Sequence, residues 1–570
     1  MFLLIELCFT ALSIAIACAF PNLGANWFER CEQMFGRLAH RRGLAILVVG
    51  LAALAVRAAV LPILPIPEPA IQDEFSYLLA SDTFAHGRVT NPPHPMWVHF
   101  ETFHVIQQPS YASMYPPAQG LMLALGQVVL GHPFWGVWLS LGLMSASICW
   151  MLQAWLPETW ALLGGFIAVM RLAAFSYWGN SYWGGAVAAT GGALLLGALP
   201  RVKQSPRAGD AVLMGLGLAI LANSRPYEGL IFSLPVMAAL LVWMLGKDLS
   251  DLRLVVKRVV APLLLVLLLT VSGMGYYFWR VTGNAFRMPY QVDRDTYAVA
   301  PYFMWQGLRP QPPYHHEVMR TFYTQWEPGA FTAIRSLQGL IAASLEKMDV
   351  LWLFYLGPLF LLTVLSAAAI APYGLSWNQI NPNTRFLLMA AGTSMVGFMG
   401  EVYFSAHYAA PMAGLIIALL LLAMRYLRRW QRHGRPTGLA IVRGVTSVCV
   451  VLLLVRGFAG PLHLPVRPVL ALTWSALPDQ ILDRTRILSQ LQESSGQHLV
   501  LVRYTRAHNY HAEWVYNLHD IDSSKVVWAR DMGGSQNEEL IKYFENRKIW
   551  LVEPDETPAR LSEYRRDMGH

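Results

Sequence analysis

Residues 67–120 read "PEPAIQDEFSYLLASDTFAHGRVTNPPHPMWVHFETFHVIQQPSYASMYPPAQG". Apolar runs flank the stretch near 43–65 and 134–155. Each has the roughly 20 residues that a helix needs to cross about 30 Å of hydrocarbon. Arg88 is the only Lys or Arg between 67 and 132, so the positive-inside rule places this long segment away from the cytoplasm. Its Pro and aromatic content predicts short helices lying at the membrane interface, where Trp and Tyr rings are favoured, and 117–131 reads as a further re-entrant helix.

Working outward, the same criterion predicts about twelve spans, near 2–20, 43–65, 134–155, 160–176, 182–199, 211–224, 228–246, 259–279, 350–370, 386–404, 410–427 and 439–457. Alternate loops carry the basic residues: Arg30, Arg37, Arg41 and Arg42; Arg201, Lys203 and Arg207; Lys247, Arg253, Lys257 and Arg258; Arg425, Arg428, Arg429, Arg432 and Arg435. These loops are expected in the cytoplasm, with 67–132, 280–349 and everything after about 458 outside. The first run lacks a basic n-region and a small-residue cleavage site, so it reads as a retained helix rather than a signal peptide. Only 14% of the 570 residues are charged, against about 25% in soluble domains, which excludes a string of soluble domains. The net charge of +8 is largely a topology signal and needs no nucleic acid to explain it. All five cysteines fall in spans or cytoplasmic loops, so no disulfide framework and no cysteine zinc site is expected outside.

From about 478 the pattern changes. Helix-like "PDQILDRTRILSQLQESSG" leads into the strand-like "QHLVLVRY", then "KVVWARD", the amphipathic "SQNEELIKYFENR" and "KIWLVEPD". This alternation predicts a small parallel α/β unit, with no glycine-rich phosphate loop after any strand and hence no nucleotide site. The chain therefore divides into an N-terminal helix and amphipathic segment (1–42), a transmembrane domain (43–457) and a C-terminal domain (458–570).

Asp73 and Glu74 follow a Pro-rich break at Pro62, Pro65, Pro67 and Pro69. Acids also mark the first turn of many helices, but a carboxylate at the mouth of a membrane cavity is suited to general-base work. The order of a span, an Asp-Glu pair in "QDEFSYL" (72–78), an aromatic loop, "MYPPAQGLMLALG" (114–126) and a helix pair resembles the GT-C membrane glycosyltransferases, the group of protein O-mannosyltransferases and lipid A aminoarabinose transferases. "HYAAPMAGL" (407–415) is similar to that group's "RYLLPALP", with His407 where Arg is usual. The resemblance covers 43–430 in organisation. It implies a polytopic GT-C-like fold and an acidic residue, Asp73 or Glu74, that activates the acceptor hydroxyl.

Two arginines suit a donor phosphate. Arg225, in "LANSRPYEGL" at the outer end of a span, offers bidentate donors, unless it snorkels to the headgroups. Arg171 lies within a span, where an ionisable group is a functional candidate by default, unless it pairs with an acid such as Glu401. His407 is the third donor-phosphate candidate. Tyr227, Glu228, Tyr408 and Glu401 are expected around the same cavity. Tyr182 and Trp183 of "SYWGNSYWGG" (176–185) are candidates for sugar stacking, although an aromatic belt also explains them. All but His40 and His433 of the 16 histidines fall on the predicted outer side, but the spacing of five between His94, His99 and His104 puts them on no common helical face, and no metal site is expected from them.

The resemblance implies an inner-membrane, multi-pass glycosyltransferase with its catalytic side and C-terminus extracytoplasmic. Its donor would be a polyprenyl-phosphate-linked sugar, since nucleotide sugars belong to the cytoplasm, and its acceptor a glycan, lipid or protein. No cofactor is implied, with a divalent metal left open. The competing readings are a polytopic lipid or solute transporter or flippase, for which midplane charges in two matching halves are missing, and a membrane scaffold.

Overall fold

The computed structural model describes residues 2–69, 71–370, 377–459, 464 and 479–564. Among them, eight helices are long and apolar enough to cross a membrane: Phe2–Ala19, Arg42–Ala59, Phe134–Trp155, Pro226–Leu245, Leu249–Thr282, Leu337–Ala369, Ala406–Leu427 and Thr437–Gly457. The protein is a multi-pass membrane protein. Four of the twelve predicted runs fall short of that measure. They are helical, at Glu158–Ala168, Ala186–Gln204, Ala208–Ala222 and Pro382–Met399, but shorter or less apolar. Ala186–Gln204 shows why. It is rich in Ala and Gly and buries most of one flank against other helices, so protein rather than lipid meets its surface. A β-carbon on Gly192 would stand 2.0 Å from the Pro411 carbonyl oxygen, so glycine lets this helix touch the 406–412 turn that carries His407 and Tyr408.

The 67–132 segment folds as a helix, Gln72–Ala85, a 3-10 turn, Trp97–Phe100, an antiparallel hairpin of β1 (Val105–Ile106) and β2 (Ala112–Ser113), and a second helix, Pro117–Leu130. Pro117 at the first turn fits the missing N–H that a helix start tolerates. A β-carbon on Gly126 would lie 2.0 Å from Gly136 N, so this helix and Phe134–Trp155 cross at backbone contact, which holds the preceding Tyr115-Pro116-Pro117 turn in place.

In the 280–349 segment, the Pro289–Tyr297 helix is locked to the helix beginning at Glu327. Arg294 Nη1 is 2.5 Å from Glu327 Oε1 and Nη2 is 2.9 Å from Oε2, with both side chains about 95% buried. The Arg294 guanidinium also lies 4.5 Å over the Tyr302 ring. Charge sign alone could not have paired residues so far apart in a loop.

The C-terminal sheet has the order β4-β3-β5-β6, with β3 (His498–Val502), β4 (Val526–Arg530) and β5 (Lys548–Glu553) parallel and β6 (Arg560–Glu563) antiparallel on β5. The predicted parallel unit is thus a mixed sheet, because "RLSE" is too short and polar to read as a strand. Val500 and Val502 pack on one face with Ile487 and Leu491 of the Asp479–Glu493 helix. Leu499 and Leu501 face the other way, onto Leu540 of the Gly534–Tyr543 helix, Phe544 just after it, and Leu79, Phe100, Val105 and Tyr111 of the 67–132 segment. Period-two alternation therefore gives the sheet two apolar faces, one of which is completed by the first long segment. Gly533 and Gly534 follow β4 after two intervening residues, where the Asp531 carboxylate accepts from Gly533 N at the helix start.

Candidate active site

Asp73 and Glu74 are the second and third residues of the Gln72–Ala85 helix, about 100° apart around its axis, and they face different surroundings. Glu74 is buried. Its Oε2 accepts from Ile71 N at 3.2 Å and its Oε1 from Tyr182 N at 2.9 Å. It starts the helix and ties it to the 176–185 loop, a structural use of both of its oxygens. Asp73 is half-buried and accepts a hydrogen bond from the Tyr115 hydroxyl. Tyr115, from the "YPP" turn, was not singled out by sequence, although that motif carried the signal.

Aromatic rings surround Asp73. Tyr115 stacks on Tyr77 with centroids 4.4 Å apart and meets Tyr290 edge-on at 5.6 Å. Burial pushes the Tyr77 hydroxyl up to about 12, with the nearby Arg225 opposing that rise and Asp73 and Glu228 adding to it. Tyr408 also lies within the electrostatic reach of Arg225, Asp73 and Glu228. A carboxylate and a guanidinium from distant parts of the chain thus both act on Tyr77 and Tyr408.

Arg225 does not snorkel. Its side chain is 11% exposed, 3.6 Å from Glu228 Oε1, and its guanidinium lies 4.5 Å over the Tyr408 ring. Tyr227 turns away from it, donating to Gly397 O at 2.9 Å and packing on Phe303. Glu401 is buried near Glu228 and Arg225, with Lys347 donating to its backbone carbonyl.

His407 is buried against Trp183, with ring centroids 4.6 Å apart. The Tyr177 hydroxyl oxygen accepts from His407 N at 2.9 Å and lies 2.8 Å from Nδ1. The Tyr177 hydroxyl thus fixes both the backbone and the ring of His407. Tyr182 is 2% exposed and spends its hydroxyl on Pro67 O at 2.9 Å, which makes it a wall rather than a sugar platform. Trp183 remains partly open. Arg57, overlooked in the sequence, is fully buried and donates to Gly179 O at 3.0 Å, bracing the same loop.

Arg171 belongs to another cluster. It donates through Nε to Phe354 O at 2.8 Å and through Nη2 to Leu353 O at 2.5 Å, and lies 3.8 Å from Glu6, which also faces Arg456 at 3.7 Å. Its acid is Glu6 of the first helix, not Glu401, and its donors are used on backbone carbonyls away from Arg225.

Among the described residues, Asp82, His86 and His519 have the residue types and proximity of a metal site. His86 and His519 are stacked, however, 3.9 Å apart and within 24° of parallel, so their in-plane lone pairs do not converge on one ion. His519 Nδ1 is 2.6 Å from Asp82 Oδ2, and His519 N donates to the same oxygen at 3.0 Å. The arrangement is a latch between the 67–132 segment and the C-terminal domain, as is His94 on Asp522 at 3.0 Å. His463 and His570 lie outside the described residues. Burial works to raise the Asp82 carboxyl, but the bonds from His519 and Gln127 win and hold it below the usual carboxylate range. A lowered native value gives stability that is present above the unfolded value and lost as pH falls through the native one. The latch should therefore hold at pH 5–8 and loosen only below about pH 4. Hydrogen exchange at 517–521 measured from pH 7 to pH 3 checks this, and Asp82→Asn should raise exchange there already at pH 7.

The fold is that of a polytopic helical protein with a mixed-sheet C-terminal domain. Similar solved structures include the Archaeoglobus fulgidus oligosaccharyltransferase complexed with Zn and sulfate, at a TM-score of 0.48 and 10% identity over 89% of this chain and 67% of that one. ArnT from Cupriavidus metallidurans in the apo state is similar at a TM-score of 0.47 and 12% identity, over 88% and 92%. The same ArnT bound to undecaprenyl phosphate gives 0.45 and 13%, over 89% and 92%. No protein-family model matches the sequence, and no curated protein matches it at a significant level.

Proposed function

We propose that this protein is an integral membrane glycosyltransferase that moves a sugar from a polyprenyl-phosphate donor to an acceptor hydroxyl on the extracytoplasmic face. The observation that supports the reading is that Arg225 lies over Tyr408 while Asp73 is bonded to Tyr115, which stacks on Tyr77, and that both charges act on Tyr77 and Tyr408. A base and a phosphate-binding cation are what a single displacement at the anomeric carbon needs. Asp73, oriented by Tyr115, takes the proton of the acceptor hydroxyl as its oxygen bonds to the anomeric carbon. The bond from that carbon to the phosphate oxygen breaks, and polyprenyl phosphate leaves with the electron pair. Arg225 stabilises the growing negative charge, in a site where low water content strengthens it. Trp183 and Tyr408 offer aromatic faces to the sugar, and Arg171 supports the fold.

Arg225→Ala should lower kcat by about 10²–10³-fold, the usual cost of losing one such charge-stabilising group. Arg225→Lys should recover only part of it, because the ammonium has no planar fork for two phosphate oxygens. The envelope glycans of a deletion strain test the reading. A glycan should be lost, restored by the intact gene and not by the Arg225→Ala gene. An unchanged glycan profile, with a lipid accumulating on one leaflet instead, would replace the transferase by a flippase.

A further inference from the structure

A cavity of about 320 Å³ lies between the His315–Thr321 stretch and the C-terminal sheet, at the lower end of the roughly 300–1,000 Å³ of small-molecule sites. It sits at the carboxyl ends of the parallel strands β3 and β4, where open α/β sheets hold their ligands. Arg530 and His316 are buried in its wall, Tyr504, His508 and Tyr510 line its side, and Arg506 stands at its rim.

The buried charges there are matched. Arg530 pairs with Glu513 at 2.7 Å and donates to Glu101 O at 2.7 Å, and Asp531 is engaged by Arg503. The unmatched group is His508. Its Nδ1 lies 2.7 Å from the Asp555 carboxylate, which places the proton on Nδ1. Its Nε2 is buried without a partner, on a side chain only 2% exposed. A buried polar atom left unpaired is costly, and a hydroxyl, which both donates and accepts, relieves it. The His508 ring also stacks on Tyr504, 3.7 Å apart and within 16° of parallel, in a wall shared with Tyr510. Hydroxyl donors together with a flat apolar face describe a sugar ring.

The cavity is tied to Asp73 by its own loop. Tyr510, which lines it, accepts through its carbonyl from Gln72 Nε2, the residue before Asp73, and His511 lies within the electrostatic reach of Asp73. We infer that this cavity binds a sugar residue of the acceptor, a glycan whose hydroxyl reaches Asp73 while another of its units is held by His508, Tyr504 and Arg506. The inference rests on the transferase reading for the word acceptor, and on the cavity alone for the word sugar.

Saturation-transfer NMR on the full-length Asp73→Asn protein in lipid nanodiscs, with glucose, N-acetylglucosamine and galacturonate as separate probes, tests it without turnover. At least one sugar should receive saturation, and His508→Phe should weaken its binding about tenfold. Arg506→Ala, an exposed change that spares the fold, should do the same. In the protein with Asp73 intact, Arg506→Ala should raise the acceptor KM about tenfold with little change in kcat. Sugars that bind with no transfer detected would support the sugar site and overturn the transferase reading. Transfer that proceeds while no sugar binds, or binding that both variants leave unchanged, would overturn the cavity assignment, as would occupation by inorganic phosphate in place of any sugar.

Discussion

Asp73→Asn should lower sugar transfer by about 10²–10⁴-fold, the range over which a positioned general base contributes, while expression, membrane insertion and thermal unfolding stay close to those of the unchanged protein. The reason lies in what each oxygen does. Asp73 is half-buried and held by Tyr115, and asparagine keeps the size and an acceptor for that hydroxyl while losing the basicity. Glu74→Gln makes the contrast. Its two oxygens serve Ile71 N and Tyr182 N, so this change should lower stability first and activity only through it. The two variants are compared by initial rates in proteoliposomes alongside melting curves. Full activity in Asp73→Asn would remove the assignment of the base.

Glu327→Ala should destabilise the protein by about 3–5 kcal/mol, the cost of removing one partner from a buried ion pair. Arg294 would be left buried with its bidentate acceptor gone, directly over Tyr302. The neighbouring Asp293 sharpens the expectation. It is buried with both oxygens unpartnered, and burial, opposed by Arg294, pushes its carboxyl up to about 7. Replacing both members of the pair, as in Arg294→Met with Glu327→Leu, should recover most of the loss, because apolar side chains of similar volume need no solvation. Thermal unfolding in detergent of the single and double variants makes the measurement. A single variant that melts with the unchanged protein would mean that the pair contributes nothing to holding the 280–349 segment.

Much of the architecture is legible in the sequence because hydrophobicity is local information. Runs such as 259–279 and 439–457 announce their helices by length alone, and "HLVLV" and "VVWAR" emerge as β3 and β4 because an apolar five-residue run bounded by polar residues has few other uses. The Ala- and Gly-rich helix 186–204 is the informative exception. Its helicity is readable, but its environment is set by neighbours such as Pro411, so hydropathy overstates the case for an independent span.

The site was legible in its residue types more than in their roles. Arg225 lies over Tyr408 and Asp73 accepts from Tyr115, whereas Glu74, Tyr182 and Arg171 are engaged with backbone atoms and a buried acid. Adjacent residues such as Asp73 and Glu74 share every sequence property that position confers, and only the packing of the helix decides which side chain meets backbone amides and which meets a tyrosine hydroxyl. Tyr115 and Arg57 were overlooked for the same reason, since a hydroxyl or guanidinium reveals its use only through its partner.

The sequence by itself determined that this chain crosses a membrane many times, that its sparse charges divide between basic loops and a few isolated acids and arginines, and that a small α/β unit closes it. Each of these follows from the free energy of moving residues between water and an apolar phase, which is nearly additive along a chain. Tertiary structure alone decided that the C-terminal sheet completes its core with Leu79, Phe100 and Tyr111, that Glu6 rather than Glu401 answers Arg171, and that His508 keeps an unpaired nitrogen in a cavity near Asp73. Those facts depend on distances between residues far apart in the chain, and such distances exist only once the fold has formed.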